Sequence, residues 1–171
     1  MKKNANVQYF VEGEDEKKLV NTLKNDLKVI TPGKVQIINV IQNIVSDMIL
    51  MTFKQGTIVV LVFDTDTNNT DTLNKNISKL KKYRNVADVI TIPQVKNLED
   101  ELKYSCNIRK ITELLNSRSV SNFKSDLIHI TNLDSKLKEH SFDINRFWSR
   151  HPESPYENIT NQADMIKINN K

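Results

Sequence analysis

The sequence predicts an α/β domain: a mostly parallel four-stranded sheet with helices on both faces and a helical C-terminal extension. Three observations carry that expectation. Strand-like and helix-like segments alternate over roughly the first hundred residues. The run Thr57–Phe63 (TIVVLVF) is continuously apolar and β-branched, as a central parallel strand covered on both faces should be. After Leu98 the apolar spacing becomes helical, and no repeat or low-complexity tract marks off a second domain.

The elements follow in order. Val7–Val11 (VQYFV) reads as the first strand, ending at Glu12-Gly13. Leu19, Val20, Leu23 and Leu27 recur at helical spacing and predict a helix over 15–28, which Thr31-Pro32-Gly33 breaks. Val35–Val40 is a second strand, and a helix through Ile44–Phe53 closes near Gly56. Thr57–Phe63 is the third strand and 64–70 its loop; Leu73, Ile77, Leu80 and Tyr83 then mark another helix. Val86–Ile92 is the fourth strand, ended by Pro93. Leu98–Cys106, Ile108–Leu115, Asn122–Leu133 and a short piece at Ile144–Trp148 are expected to be helical. Pro152 and Pro155 open a polar tail whose last fifteen or so residues are expected to be loosely held. The chain is thus read as one domain, 1–171, with its α/β core over about 5–105 and the extension and tail over about 106–171.

Composition sets wide bounds. The 171 residues are 38% hydrophobic, enough for one real core, and 27% charged. A net charge of +4 permits a polyanionic partner without demanding one. No stretch has transmembrane length, and Met1-Lys2-Lys3-Asn4 leads into a strand-like run, so a cytoplasmic location is expected. Cys106, the single cysteine, cannot form an internal disulfide and is read as a packed side chain. His129, His140 and His151 are scattered and read as surface residues, and no Cys/His spacing suggests zinc.

Two acidic groups stand at carboxyl ends of predicted strands, where open α/β sheets build their sites. Glu12 follows the first strand beside a glycine, and Glu16 lies one helical turn on. Asp64 and Asp66 follow the central strand, with the spacing that puts both on one side of an extended chain. Like charges so close repel, and a cation is the usual means of holding both ionised. Oxygen-only donors favour Mg²⁺ or Mn²⁺. Helix-dipole complementation by Glu14, Asp15 and Glu16, and turn chemistry at Asp66, are the structural alternatives. Asn97-Leu98-Glu99-Asp100, just past the fourth strand, fits a helix cap as well as a third group of ligands.

Val11-Glu12-Gly13 and Asp64-Thr65-Asp66, in this order and on strands of this character, resemble the Toprim domain over roughly residues 7–102. That catalytic module is shared by topoisomerases, bacterial primases, ribosomal-RNA maturation nucleases and OLD-type nucleases. The pattern is most similar to the OLD-type arrangement, with Glu16 as the acid four residues on and Asn97-x-Glu99 as the late pair. The resemblance implies a Toprim-like, Rossmann-like fold. It also implies one ion on Glu12, Asp64 and Asp66 and a second near Glu16, Asn97 and Glu99. Two such ions would stabilise attacking and leaving oxygens in phosphodiester hydrolysis. The chain has no G-x-x-x-x-G-K-S/T loop for an ATPase and no topoisomerase or primase companion domain. The implied activity is therefore Mg²⁺-dependent nucleic-acid cleavage by a small nuclease or a nuclease subunit, for example in an anti-phage defence system. DNA or RNA is the implied partner, together with a homodimer or a protein partner.

Lys124 is the favoured basic group to steady a phosphate, because Phe123-Lys124 begins a helix that can return to the site; with Glu12, Asp64 and Asp66 it completes the expected catalytic set. Lys96, Lys110 and Arg150 are further nucleic-acid-binding candidates. Phe147-Trp148 could stack on single strands but fits a core anchor better. Two other readings stand beside the nuclease. One is a haloacid-dehalogenase-like phosphatase with Asp64 as nucleophile, which leaves Glu12 without a role. The other is a non-catalytic module that binds nucleic acid or protein. A dinucleotide-binding dehydrogenase is disfavoured, since no G-x-G-x-x-G occurs.

Overall fold

The computed structural model describes residues 6–168. Residues 1–5, read above as leading into the first strand, and 169–171 of the tail lie outside them. Four strands, β1 (Val7–Val11), β2 (Lys34–Ile37), β3 (Thr57–Asp64) and β4 (Val86–Gln94), form one sheet in the order β2-β1-β3-β4. Every neighbouring pair is parallel. The predicted class is the observed one.

Period-two alternation sorts the strand side chains onto two faces. Val7, Tyr9, Val11, Val60, Val62, Ile90 and Ile92 pack with Leu19, Val20 and Leu23 of α1 (Glu14–Asn25) and with α4 (Leu98–Ser105), α5 (Val120–His129) and α6 (Leu133–Glu139). Phe10, Val59, Leu61, Phe63 and Val89 pack on the other side, against α2 (Asp47–Met51) and α3 (Asp71–Lys82). Because β3 faces helices on both sides, its five residues Val59 to Phe63 are all buried and apolar with no polar alternation, which is why its run is the most legible in the sequence. Among the described residues no helix is long and apolar enough to cross a membrane.

Several boundaries differ from expectation, each for a local reason. The second helix shrinks to α2, capped by Ser46, because residues 40–45 form an irregular loop held by a buried side chain. Asn76 accepts from the Val45 N–H at 2.8 Å and donates to the Val40 and Asn43 carbonyls, supplying the partners a helix would have supplied. β4 runs through Pro93 to Gln94, since it lies at the end of the strand order, where a proline can be carried. Ile108–Leu115 forms only one 3₁₀ turn, Ile111–Glu113. The single helix expected over Asn122–Leu133 is two, α5 and α6, separated by extended backbone at Ile130. Ile144–Trp148 is a series of turns.

The tail is not loosely held over its described part. Tyr156 is buried with the α2/α3 face, whereas Ala163 and Ile166 are buried on the opposite face. Between them the chain follows the outer edge of β4: Thr91 donates to the Thr160 carbonyl at 2.7 Å and accepts from the Gln162 N–H at 2.9 Å. The segment ends beside Ile30, which bridges to Lys167. Polar composition concealed this packing because three widely spaced apolar side chains anchor it.

Candidate functional site

All four strands are parallel, so their carboxyl ends share one rim of the sheet. The path leaves β1 toward β2 over the α1 face and returns to β3 over the α2 face. The switch point of the topology, where such folds open a crevice, therefore lies between β1 and β3. Glu12 and Asp64 stand there. Each strand contributes one polar side chain, and these form a continuous row. From β2's end, Asn39 donates to Glu12 Oε2 at 3.0 Å. Glu12 Oε1 accepts from the backbone N–H of Asp64 at 3.1 Å. Asp64 Oδ1 accepts from Gln94 Nε2, at β4's end, at 2.7 Å. The two central strands supply acids and the two outer strands supply amide donors.

Further acids crowd this row. Glu16, in the first turn of α1, is only 5% exposed, and its Oε2 meets no donor N–H among the described residues, only the neighbouring Asp15 carboxyl, with which it can share a proton but not a charge. Gly13 leaves room for the Asp15 and Glu16 carboxyls to fold back over the start of α1. Its backbone is ordinary extended chain, so the requirement is room: a Cβ would sit 2.6 Å from Asp15 Oδ1 and 2.9 Å from Glu16 Oε2. Glu99, in the first turn of α4, is buried and pairs with Lys124 at 3.3 Å; α5 thus does return to the rim. Asp66 lies past the end of β3 and is exposed, so strand alternation does not set its direction as expected.

Burial and mutual repulsion act together here. Burial first, then the charges of Asp66 and Asp15, push Glu12 up to about 7 against the lowering pull of the Asp64 N–H. Burial and Glu12, with smaller contributions from Asp66 and Glu99, push Asp64 up to about 8 despite the Gln94 hydrogen bond. Glu16 is raised by burial and then by Asp15. For Lys124, burial works against the charge, but Glu99, Asp15 and Glu16 outweigh it and the pKa is raised. The rim is therefore a partly desolvated shelf of carboxyl groups that resist ionising together, with one lysine across it.

Other expected residues lie elsewhere or do other work. Asn97 is the cap of α4, its side chain accepting from the Asp100 N–H at 3.0 Å. Arg150 is turned inward onto Glu101 Oε1 at 2.9 Å and the Val95 carbonyl at 3.2 Å. Lys110 is exposed and precedes the Ile111–Glu113 turn. Lys96 is exposed beside the site, its N–H donating to Thr65 Oγ1 at 3.0 Å. Phe147 and Trp148 are buried core anchors, and burial pushes the Cys106 thiol up to about 11. Sequence reasoning missed Asn39, Gln94 and Tyr156. Tyr156 Oη lies 2.8 Å from Thr67 Oγ1, and its pKa is raised by burial and by Asp66, Glu12 and Asp64. Uncharged side chains at these positions carry no signal until the strand order is known.

No family model, curated protein or solved structure matches the chain. What the rim can do therefore follows from its own chemistry. Among the described residues no three His, Cys, Asp or Glu side chains already form an ion cage. Their oxygens are instead turned toward Asn39, the Asp64 N–H and Gln94. The donor set nevertheless suits a hard divalent cation: all ligand atoms are oxygens, the carboxylates repel one another, and Glu16 Oε2 is buried without a donor N–H among the described residues. A hollow of about 330 Å³ lined by Asn6, Gly33, Lys34 and Phe53 lies at the amino ends of the strands and carries no carboxylate.

Proposed function

We propose that the chain is a Toprim-type nuclease that hydrolyses phosphodiester bonds of DNA or RNA with the help of Mg²⁺ or Mn²⁺. The observation that carries this reading is the crowding of Glu12, Asp64 and Glu16 at the β1/β3 switch point, with one buried carboxyl oxygen meeting no donor N–H among the described residues. Glu12, Asp64 and Asp66 would hold one ion, and Glu16 with Glu99 a second. A bound divalent cation supplies Lewis-acid polarisation of phosphoryl oxygens. The resemblance of Val11-Glu12-Gly13 and Asp64-Thr65-Asp66 to the Toprim pattern supports the same reading.

The chain's own residues have separable tasks. Asn39 and the Asp64 N–H orient the Glu12 carboxylate, and Gln94 orients that of Asp64. Lys124, with its side chain 59% exposed and paired with Glu99, presents a cation at the edge of the carboxyl-rich shelf, the kind of group that would steady a phosphate there. The Lys96 backbone N–H donates to Thr65 Oγ1, which puts this exposed residue next to the loop after β3. The test is cleavage of plasmid, single-stranded DNA and RNA in Mg²⁺ or Mn²⁺, comparing wild type with Glu12→Ala and Asp64→Ala. Wild type is expected to cut at least one substrate, and both variants to fall to background while still binding it. Failure of the wild type to cut any of the three, with all proteins binding equally, overturns the proposal.

A further inference from the structure

Gln94 is the last residue of β4, lies directly across from Asp64 in the sheet register, and is 0% exposed. A buried primary amide has a donor end and an acceptor end, and which end faces which neighbour must be settled by its partners. Here it is settled by Trp148. The indole N–H can only donate, and it donates to Gln94 Oε1 at 3.1 Å. That leaves Nε2 facing Asp64 Oδ1 at 2.7 Å. Turning the amide over would set its oxygen against a carboxylate and its NH₂ against an N–H, two repulsive contacts in a dry place.

Trp148 is itself held by more than packing. Its φ of 57° is in the left-handed region, unusual for a bulky residue. The backbone is secured by Glu101, which is 0% exposed. Glu101 Oε2 accepts from the Trp148 N–H at 3.1 Å, while its Oε1 accepts from the Val95 N–H and from Arg150, both at 2.9 Å. Asn161 donates to the Trp148 and Arg150 carbonyls at 2.9 and 2.8 Å. A strained residue tied this many ways persists because its surroundings over-determine it.

We infer that Gln94 and Trp148 are positioning residues for the acidic site: the C-terminal segment, through the indole N–H, locks the Gln94 amide so that Asp64 presents its other oxygen to a divalent cation. This deepens the cation-site reading above and rests on it. A neutral donor suits the task, since it orients the carboxylate without cancelling the charge the cation needs, as outer groups around metal ligands commonly do. An arginine or lysine at the same place would compete with the ion.

The test is Mn²⁺ binding, followed by electron paramagnetic resonance and calorimetry, on wild type, Trp148→Phe, Gln94→Leu and the double variant. Binding is measured at a temperature where circular dichroism shows each folded. Trp148→Phe keeps an aromatic ring at the site and removes the donor together with the five-membered ring that carries it, so the folded fraction is checked before affinity is compared. Both single variants are expected to weaken Mn²⁺ by about 10-fold or more. The double variant is expected to be no weaker than Gln94→Leu, because the indole acts only through the amide. A purely structural role would lower the melting temperatures and leave the affinity of the folded protein unchanged. On the wild type alone, Mg²⁺ titration should move the Gln94 side-chain NH₂ and Trp148 indole resonances with one midpoint. Wild type that binds no Mn²⁺ overturns the cation site and this inference together. Wild type that binds, with variants that match it, with additive losses in the double variant, or with both side-chain resonances unmoved by Mg²⁺, overturns the inference alone.

Discussion

At the scale of single residues, the acids at the rim are held in a state that costs stability as they ionise. Glu12 is raised to about 7 from 4.5 and Asp64 to about 8 from 3.8, in each case first by burial. In the unfolded chain both lose their protons near pH 4. Between there and about pH 8 the unfolded state therefore binds fewer protons than the folded one, so stability present at low pH is lost as pH rises. In EDTA, the melting temperature is expected to fall from pH 5 to pH 8.5. Asp64→Asn, which cannot ionise, should melt several degrees above wild type at pH 8 and close to it at pH 5. For a chain this long ~1 kcal/mol moves the midpoint by about 2–4 °C. Excess Mg²⁺ should raise the wild-type midpoint most at the alkaline end. A flat wild-type profile, or Asp64→Asn melting below wild type at pH 8, would count against repulsion at this site.

At the scale of elements, two glycines separate what a position does for the fold from what it does for the site. At Gly33 a Cβ would meet the Val7 carbonyl at 2.7 Å and Val7 Cβ at 2.9 Å, atoms of the neighbouring strand that cannot move aside. At Gly13 the obstacles are the ends of the Asp15 and Glu16 side chains, which can. Gly33→Ala is thus expected to cost about 1–3 kcal/mol, read as a lowered denaturant midpoint. Gly13→Ala should leave that midpoint nearly unchanged and weaken Mn²⁺ binding instead, by displacing the acids; the reverse pattern would refute this division. The same contrast explains what was legible in the sequence. β1, β3, α1 and α3 announce themselves through long apolar periodicity, and Glu12 and Asp64 can be located because they end apolar runs. The shortened α2 was hidden because its loop depends on Asn76, more than thirty residues away, as the 31-residue separation from Val45 shows. The amides of Asn39 and Gln94 were hidden for a similar reason: they matter only once β2 and β4 are known to flank the central pair.

At the scale of the whole molecule, the tail is the tie that joins both faces of the sheet. It buries Tyr156 on the α2/α3 side, passes along the β4 edge at Thr91, and buries Ile166 on the side of α1. It also covers backbone that an open edge strand would offer to another chain. A segment anchored in both cores should unfold with them, not before them. Tyr156→Ala is therefore expected to lower the global unfolding midpoint by the equivalent of about 3–5 kcal/mol, as for other buried aromatics. Tyr156→Phe keeps the ring and loses only the hydroxyl contact to Thr67, so its cost should be about 0.5–1.5 kcal/mol. Amide exchange provides the second measurement. The Gln162 and Ile168 N–H groups, bonded to the Thr91 and Val29 carbonyls, should be protected to nearly the same degree as the β3 amides. If Tyr156→Ala leaves the midpoint unchanged while these two amides exchange freely, the tail is a separate appendage. The tie between the two faces would then have to come from the sheet alone.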